Sequence, residues 1–317
     1  MLGGAISEYL HWSVIFWMNI PLGLIAIALT LTLLRRLPRH ERPHRLDFLG
    51  AALIMVASSS FMLALSMGGV TYPWTSTPIL ALFAAALLLG IAFIVRLRTA
   101  PEPLIPLSIL ADREVRLTIM ANAFGWGPIV GLHIFLPIYL QNVLGMAPAA
   151  AGLSVLLLAM MLNISAGVTG TILPRREHYK TIPIVGMLLA IASVLFLAWQ
   201  AKSLALWQFE IVIALIGMGF GTMPPLAATT LQNNVSIRTF GSAVATMQFT
   251  RNLYATITVA VFGAIVLVAA GSGGGEAAAH YSAEGFARVF LGVAASFAVA
   301  LLAVFLLEEK PLQTSNA

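Results

Sequence analysis

The 317-residue chain contains no cysteine, and only 9% of its residues are charged. Without thiols there are no disulfides, no thiolate metal sites and no cysteine nucleophile. Soluble domains carry about a quarter charged residues, so the scarcity of charge excludes a soluble fold. Enzyme signatures are missing as well: there is no HExxH, no GxSxG, no P-loop and no GxGxxG following a strand. An ATP-driven pump is excluded with them, because no soluble nucleotide-binding segment is present. Nor is there a ten-residue alternation of apolar and polar residues, the mark of a spanning β-barrel.

What fills the chain instead is apolar: 60% of the residues are hydrophobic, and the mean hydropathy is +0.95. A spanning helix needs about 20 mostly apolar residues. Nine segments reach that length, at residues 12–34, 48–67, 77–97, 117–140, 147–171, 182–200, 205–229, 242–270 and 287–307. The expected fold is therefore an all-α polytopic membrane protein with about nine transmembrane helices. The net charge of +5 is no sign of nucleic acid, since basic residues of membrane proteins gather in cytoplasmic loops. Placing the link at 35–47 in the cytoplasm puts Arg35, Arg36, Arg39, Arg42, Arg45, Arg96, Arg98, Arg113, Arg116, Arg175, Arg176, Lys180, Arg238 and Lys310 on one side. The other side receives Lys202 and Arg288, and Arg251 lies within a span. This asymmetry predicts a cytoplasmic C-terminus and, with nine spans, an N-terminus outside.

Several motifs follow one another in a recognisable order. They are Leu2-Gly3-Gly4 with Trp12, Ile15, Phe16, Asn19, Pro21 and Gly23; Asp47-Phe48-Leu49-Gly50; Pro103-Leu104-Ile105-Pro106-Leu107; Leu136-Pro137-Ile138-Tyr139-Leu140-Gln141 with Gly145 and Gly152; and Gly217-Met218-Gly219-Phe220-Gly221 with Pro224, Pro225, Gln232 and Asn233. In this order they resemble the fourteen-helix drug:proton antiporter (multidrug efflux) family of the major facilitator superfamily, over essentially the whole chain. There are departures. Ser13 and Val14 stand where the family has Arg and Trp, and Tyr254, Ala255 and Thr258 follow Arg251-Asn252-Leu253 where the family has glycines. Residues of that size are expected to hold helices apart where glycines allow close approach.

The resemblance implies a partial major-facilitator fold. Residues 1–34 correspond to a remnant of the N-terminal bundle, the end of helix five and helix six. Residues 35–116 hold cytoplasmic links and two additional central helices, 117–307 an intact C-terminal six-helix bundle, and 308–317 a cytoplasmic tail. On this reading the chain is N-terminally truncated, with helices six to fourteen present. The acidic residue of the family's first helix and its basic loop between helices two and three have no counterpart.

Ionisable and amide side chains inside a span are functional candidates by default. Asn122, Trp126 and His133 share a helical face, which fits cavity lining or a proton pathway; an interhelical hydrogen bond is the plainer role for His133. Arg251, with Gln248 one turn before it, either holds a carboxylate and sets the cavity's potential or snorkels to the surface. Asn163 lines a cavity or contacts a helix. Glu210 is a possible proton carrier or an interfacial carboxylate reaching water. Gly217, Gly221, Pro224 and Pro225 suggest a kink that bends during gating. The basic cluster from Arg175 to Lys180 reads as a positive-inside anchor.

Together with the resemblance these residues lead to an expected function: a secondary transporter of the plasma (bacterial inner) membrane, exchanging protons for drug-like amphipathic compounds by alternating access and impaired by truncation. The alternative is a non-transporting truncated product or a misplaced start of a full-length transporter. No cofactor is expected beyond the proton gradient. The expected partners are the lipid bilayer and small amphipathic organic substrates, with no nucleic acid; a membrane-fusion or outer-membrane partner is left open.

Overall fold

A computed structural model describes residues 13, 17, 19–33, 47–69, 71–101, 103–105, 107–175, 178–202, 204–237, 239–269 and 282–309. The chain divides into two units, residues 1–45 and 46–317. Leu2, Gly3, Gly4, Trp12, Ile15 and Phe16 of the first motif lie outside the described residues, as do Arg238 and the tail from Lys310. Among the described residues of the first unit there is one helix, α1, Asn19–Leu33. At 1.5 Å per residue its 15 residues reach about 22 Å, short of a full hydrocarbon core.

The second unit begins with a helical hairpin, α2 (Phe48–Met67) and α3 (Thr77–Thr99). Its base is held by Asp47. One carboxylate oxygen, Oδ1, accepts from the Gly50 N–H at 3.0 Å and from Arg96 Nε of α3 at 3.0 Å. The motif's glycine has a steric reason: a Cβ at position 50 would sit 2.3 Å from Asp47 Oδ2. The Gly50 amide, and secondarily Arg96, hold the Asp47 carboxyl below the usual aspartate range against the opposing effect of burial.

A five-residue turn of helix, α4 (Leu107–Ala111), leads into α5, Arg113–Asn142. Asp112 caps α5, accepting from the N–H groups of Glu114 and Val115. There follow α6 (Pro148–Ile172), α7 (Thr181–Trp199), α8 (Leu206–Phe220), α9 (Met223–Asn234), α10 (Phe240–Ala269) and α11 (Ala283–Leu306). Counting α8 and α9 as one span, eight helices among the described residues are long and apolar enough to cross a membrane. The ninth expected segment is the shorter helix α1.

The predicted span 205–229 is two helices, broken at Gly221-Thr222. Pro224 and Pro225 cannot donate to the preceding turn, so the ladder stops there. The Thr222 N–H and hydroxyl both turn to Gly219 O, and the carbonyl of Met218 is taken up by Ser165 Oγ of α6 at 2.6 Å. A backbone group freed in apolar surroundings is thus satisfied by a neighbouring helix.

Glycines set the spacing around α8. A Cβ at Gly219 would lie 2.3 Å from Gly186 O of α7, and one at Gly217 would lie 2.6 Å from Leu158 O of α6. Helix α8 therefore packs backbone to backbone on both sides.

Helix α5 packs most extensively against α10 and α11. Tyr139, fully buried, meets the rings of Phe209, Phe286 and Phe290 and donates its hydroxyl to Ala201 O at 2.8 Å. This ties α5, α8, α11 and the α7–α8 link at one end of the bundle. At the arginine-bearing end, Glu114 accepts from the Glu308 N–H, Arg113 pairs with Glu308, and Lys180 bonds the Phe305 and Leu307 carbonyls. The outward faces carry large apolar side chains such as Leu87, Leu88, Ile211 and Leu302, a surface that suits lipid.

Candidate functional site

The seam between α5 and α10 gathers three of the sequence candidates, Trp126, Gln248 and Arg251. The two helices run in the same direction, because contacts climb both in step. A Cβ at Gly127 would meet Tyr254 at 2.6 Å and Thr258 at 2.8 Å, and one at Gly131 would meet Phe262 at 2.7 Å. This overturns the expectation that Tyr254 and Thr258 hold helices apart. The glycines that permit close approach are on the partner helix, and the Tyr254 ring lies 4.3 Å from that of Phe124, centroid to centroid. Its hydroxyl and Ser296 Oγ are 3.0 Å apart, and Ser296 donates in turn to Phe124 O.

Near the arginine-bearing end of this seam, the guanidinium carbon of Arg251 sits 4.3 Å from the ring centroid of Trp126. Such a cation–π contact replaces part of the hydration a buried cation loses. It leaves the planar edge uncommitted: Arg251 Nε is buried without a hydrogen-bond partner, and no carboxylate among the described residues forms an ion pair with it. Gln248, one turn earlier, also has a buried oxygen without a partner. Trp126 backs onto Phe220 of α8, which stacks on Phe297 of α11, so the indole is braced by the core.

One turn further along both helices a cavity of about 810 Å³ opens. Val130, Ile134 and Phe135 of α5 and Asn252, Ala255, Thr256, Val259 and Gly263 of α10 line it, and the end of the hairpin forms a further wall. There Trp74 folds over Gly68 and Gly69, where an added Cβ would lie 2.5 Å and 2.7 Å from the indole. Gly69 has φ +75°, which allows the turn. The wall is apolar except for Ser66, Asn252 and Thr256.

The remaining candidates lie apart from this seam. Asn122 is buried, its side-chain oxygen unpartnered, and borders a small void with Met223, Leu226 and Ala227 of α9. His133 is half-buried, with Nδ1 2.8 Å from Ile129 O of its own helix, which leaves Nε2 uncommitted. Asn163 is exposed on α6 and donates to Ala159 O. Glu210 is exposed on α8. Gly217, Gly221, Pro224 and Pro225 form the broken crossing described above. The cavity's hairpin wall was not visible from sequence; the spacing Gly127-x-x-x-Gly131 was a usable signal for the close seam. No group of three metal-ligating side chains occurs among the described residues.

Comparison with known proteins agrees with this architecture. The Major Facilitator Superfamily profile matches residues 1–259. An MFS-type transporter of Mycobacterium tuberculosis (strain H37Rv), itself uncharacterised, is 31% identical over 267 residues, covering 84% of this chain and 38% of the relative. The multidrug transporter protein MdtP of Bacillus subtilis is 28% identical, covering 86% of this chain and 50% of the relative. The aspyridones efflux protein of Neocamarosporium betae is 30% identical, covering 82% and 48% respectively. The chain thus spans between 38% and 50% of the length of these relatives. With a profile match over most of its length and an all-helical membrane architecture, the chain belongs to the Major Facilitator Superfamily, a family of transporters rather than enzymes.

Proposed function

We propose that this chain carries the transport pathway of a secondary transporter, one that expels amphipathic organic compounds in exchange for protons by alternating access. The observation that carries the reading is the cavity of about 810 Å³ between hairpin and bundle. Its size and largely apolar wall suit a drug-sized molecule, and Arg251, without an ion pair among the described residues, stands one turn away. The relatives named for multidrug transport and efflux support the direction of movement. The clustering of Arg96, Arg98, Arg113, Arg116 and Lys180 at one end supports a cytoplasmic location for that end. His133, with one ring nitrogen uncommitted, and Glu210 are protonable groups within the described spans, and the proton step is assigned to them.

The test uses vesicles reconstituted with these 317 residues and loaded with a fluorescent amphipathic dye. Dye movement that follows an imposed proton gradient, and stops when a protonophore collapses it, supports the reading. Dye movement indifferent to the gradient, or none above protein-free vesicles, overturns it for this chain and favours a product that inserts without transporting.

A further inference from the structure

We infer that the Arg251–Trp126 pair and the adjoining cavity form a binding site for an organic acid, a compound with an apolar body and a carboxylate head. The inference deepens the proposed function by naming a substrate class, and it stands on three observations. Arg251 is half-buried within a span, and an arginine there keeps its charge. A buried cation demands a counter-charge, yet the described residues supply none. Trp126 covers one face of the guanidinium at 4.3 Å, and the Nε edge is left without a partner. That edge presents parallel N–H groups, a geometry that grips a carboxylate with two hydrogen bonds and has no equivalent need for an amine or an ether.

The position of the pair relative to the cavity defines the rest of the ligand. Val130 follows Trp126 by four residues and Ala255 follows Arg251 by four, so each lies one turn further along the same helical face. Both line the cavity. A ligand whose carboxylate meets Arg251 therefore directs its apolar body into a space of about 810 Å³. A cationic amphiphile would place like charge against Arg251, which disfavours it.

The test is equilibrium binding of 9-anthracenecarboxylate and of its uncharged amide to the wild-type chain in phosphatidylcholine nanodiscs at pH 7, with protein-free discs subtracted. Saturable binding of the acid, at least tenfold tighter than the amide, is expected. Arg251→Gln should abolish the tenfold preference for the acid over the amide. Ala255→Trp, which fills the cavity wall, should weaken acid and amide alike. Equal affinity of acid and amide for the wild type overturns the inference with no variant involved, and so does an acid preference that survives Arg251→Gln. The vesicle assay above reads proton-driven movement of a dye, so a negative binding result and a negative transport result remain distinguishable.

Discussion

Replacing Gly219 with alanine tests the backbone-to-backbone crossing of α7 and α8. The added Cβ would sit 2.3 Å from Gly186 O, 2.9 Å from Ala190 N and 3.0 Å from Ala190 Cβ, against the 3.4 Å at which ordinary contact begins. Two of these obstacles are main-chain atoms, which have no rotamer to escape into. The helices must part by about 1 Å, and a gap of that size forfeits roughly a quarter to a half of each dispersion contact across the crossing. Overpacking of a well-packed site costs about 1–3 kcal/mol, and the unyielding backbone places this case near 3 kcal/mol. Gly90→Ala is the control. Nothing lies within 4 Å of its added Cβ, so only the helix propensity changes, and a gain of about 0.5–1 kcal/mol is expected. The assay is reversible unfolding in mixed dodecylmaltoside–SDS micelles, followed by far-ultraviolet circular dichroism. The two variants should shift stability in opposite directions, separated by about 4 kcal/mol. Stabilities equal to within roughly 0.5 kcal/mol would refute the close crossing.

Gly127→Ala should destabilise by about 1–3 kcal/mol, and adding Tyr254→Ala should restore at least half of it, since here the obstacle is a side chain; a strictly additive double mutant would count against the α5–α10 seam. Tyr139→Phe strands the buried Ala201 carbonyl and should cost about 1–3 kcal/mol in the same unfolding assay. Ser165→Ala leaves the Met218 carbonyl at the α8–α9 break without its donor, for a loss near the membrane average of about 0.6 kcal/mol; faster amide exchange confined to residues 217–225 is its signature. Asp47 sets a dependence on acid. Because its folded-state pKa is depressed, its contribution is fully present above the unfolded value of about 3.9 and disappears as pH falls through the lower folded value. The stability difference between wild type and Asp47→Asn should hold constant from neutrality down to about pH 5 and shrink in stronger acid, which melting curves across that range can check.

Two of the candidate residues were named from sequence, Arg251 because a cation within a span stands out against an apolar background and Trp126 because helical spacing sets it on one face with Asn122 and His133. Their contact did not follow from that, nor did the separation of Asn122, His133, Asn163 and Glu210 from them. A helical face narrows where a side chain points but does not say which neighbour it meets. Asn122 shares the face of Trp126 yet borders α9, because α5 is surrounded on several sides. The departures at Tyr254 and Thr258 misled for a related reason: bulk on one helix says nothing about space on the other, and Gly127 and Gly131 supplied it.

The sequence by itself determined the class of the molecule, the position of its spans and the cations' preference for one side. These depend on transfer from water to lipid and on local hydrogen bonding, properties that each segment carries alone. Only the tertiary structure decided that Arg251 lies over Trp126 with no ion-pair partner among the described residues, that Ser165 satisfies the broken α8–α9 backbone, and that the hairpin end walls a cavity. Each of those joins groups distant in the chain, and helix packing sets such distances through pairs of surfaces that no single segment contains.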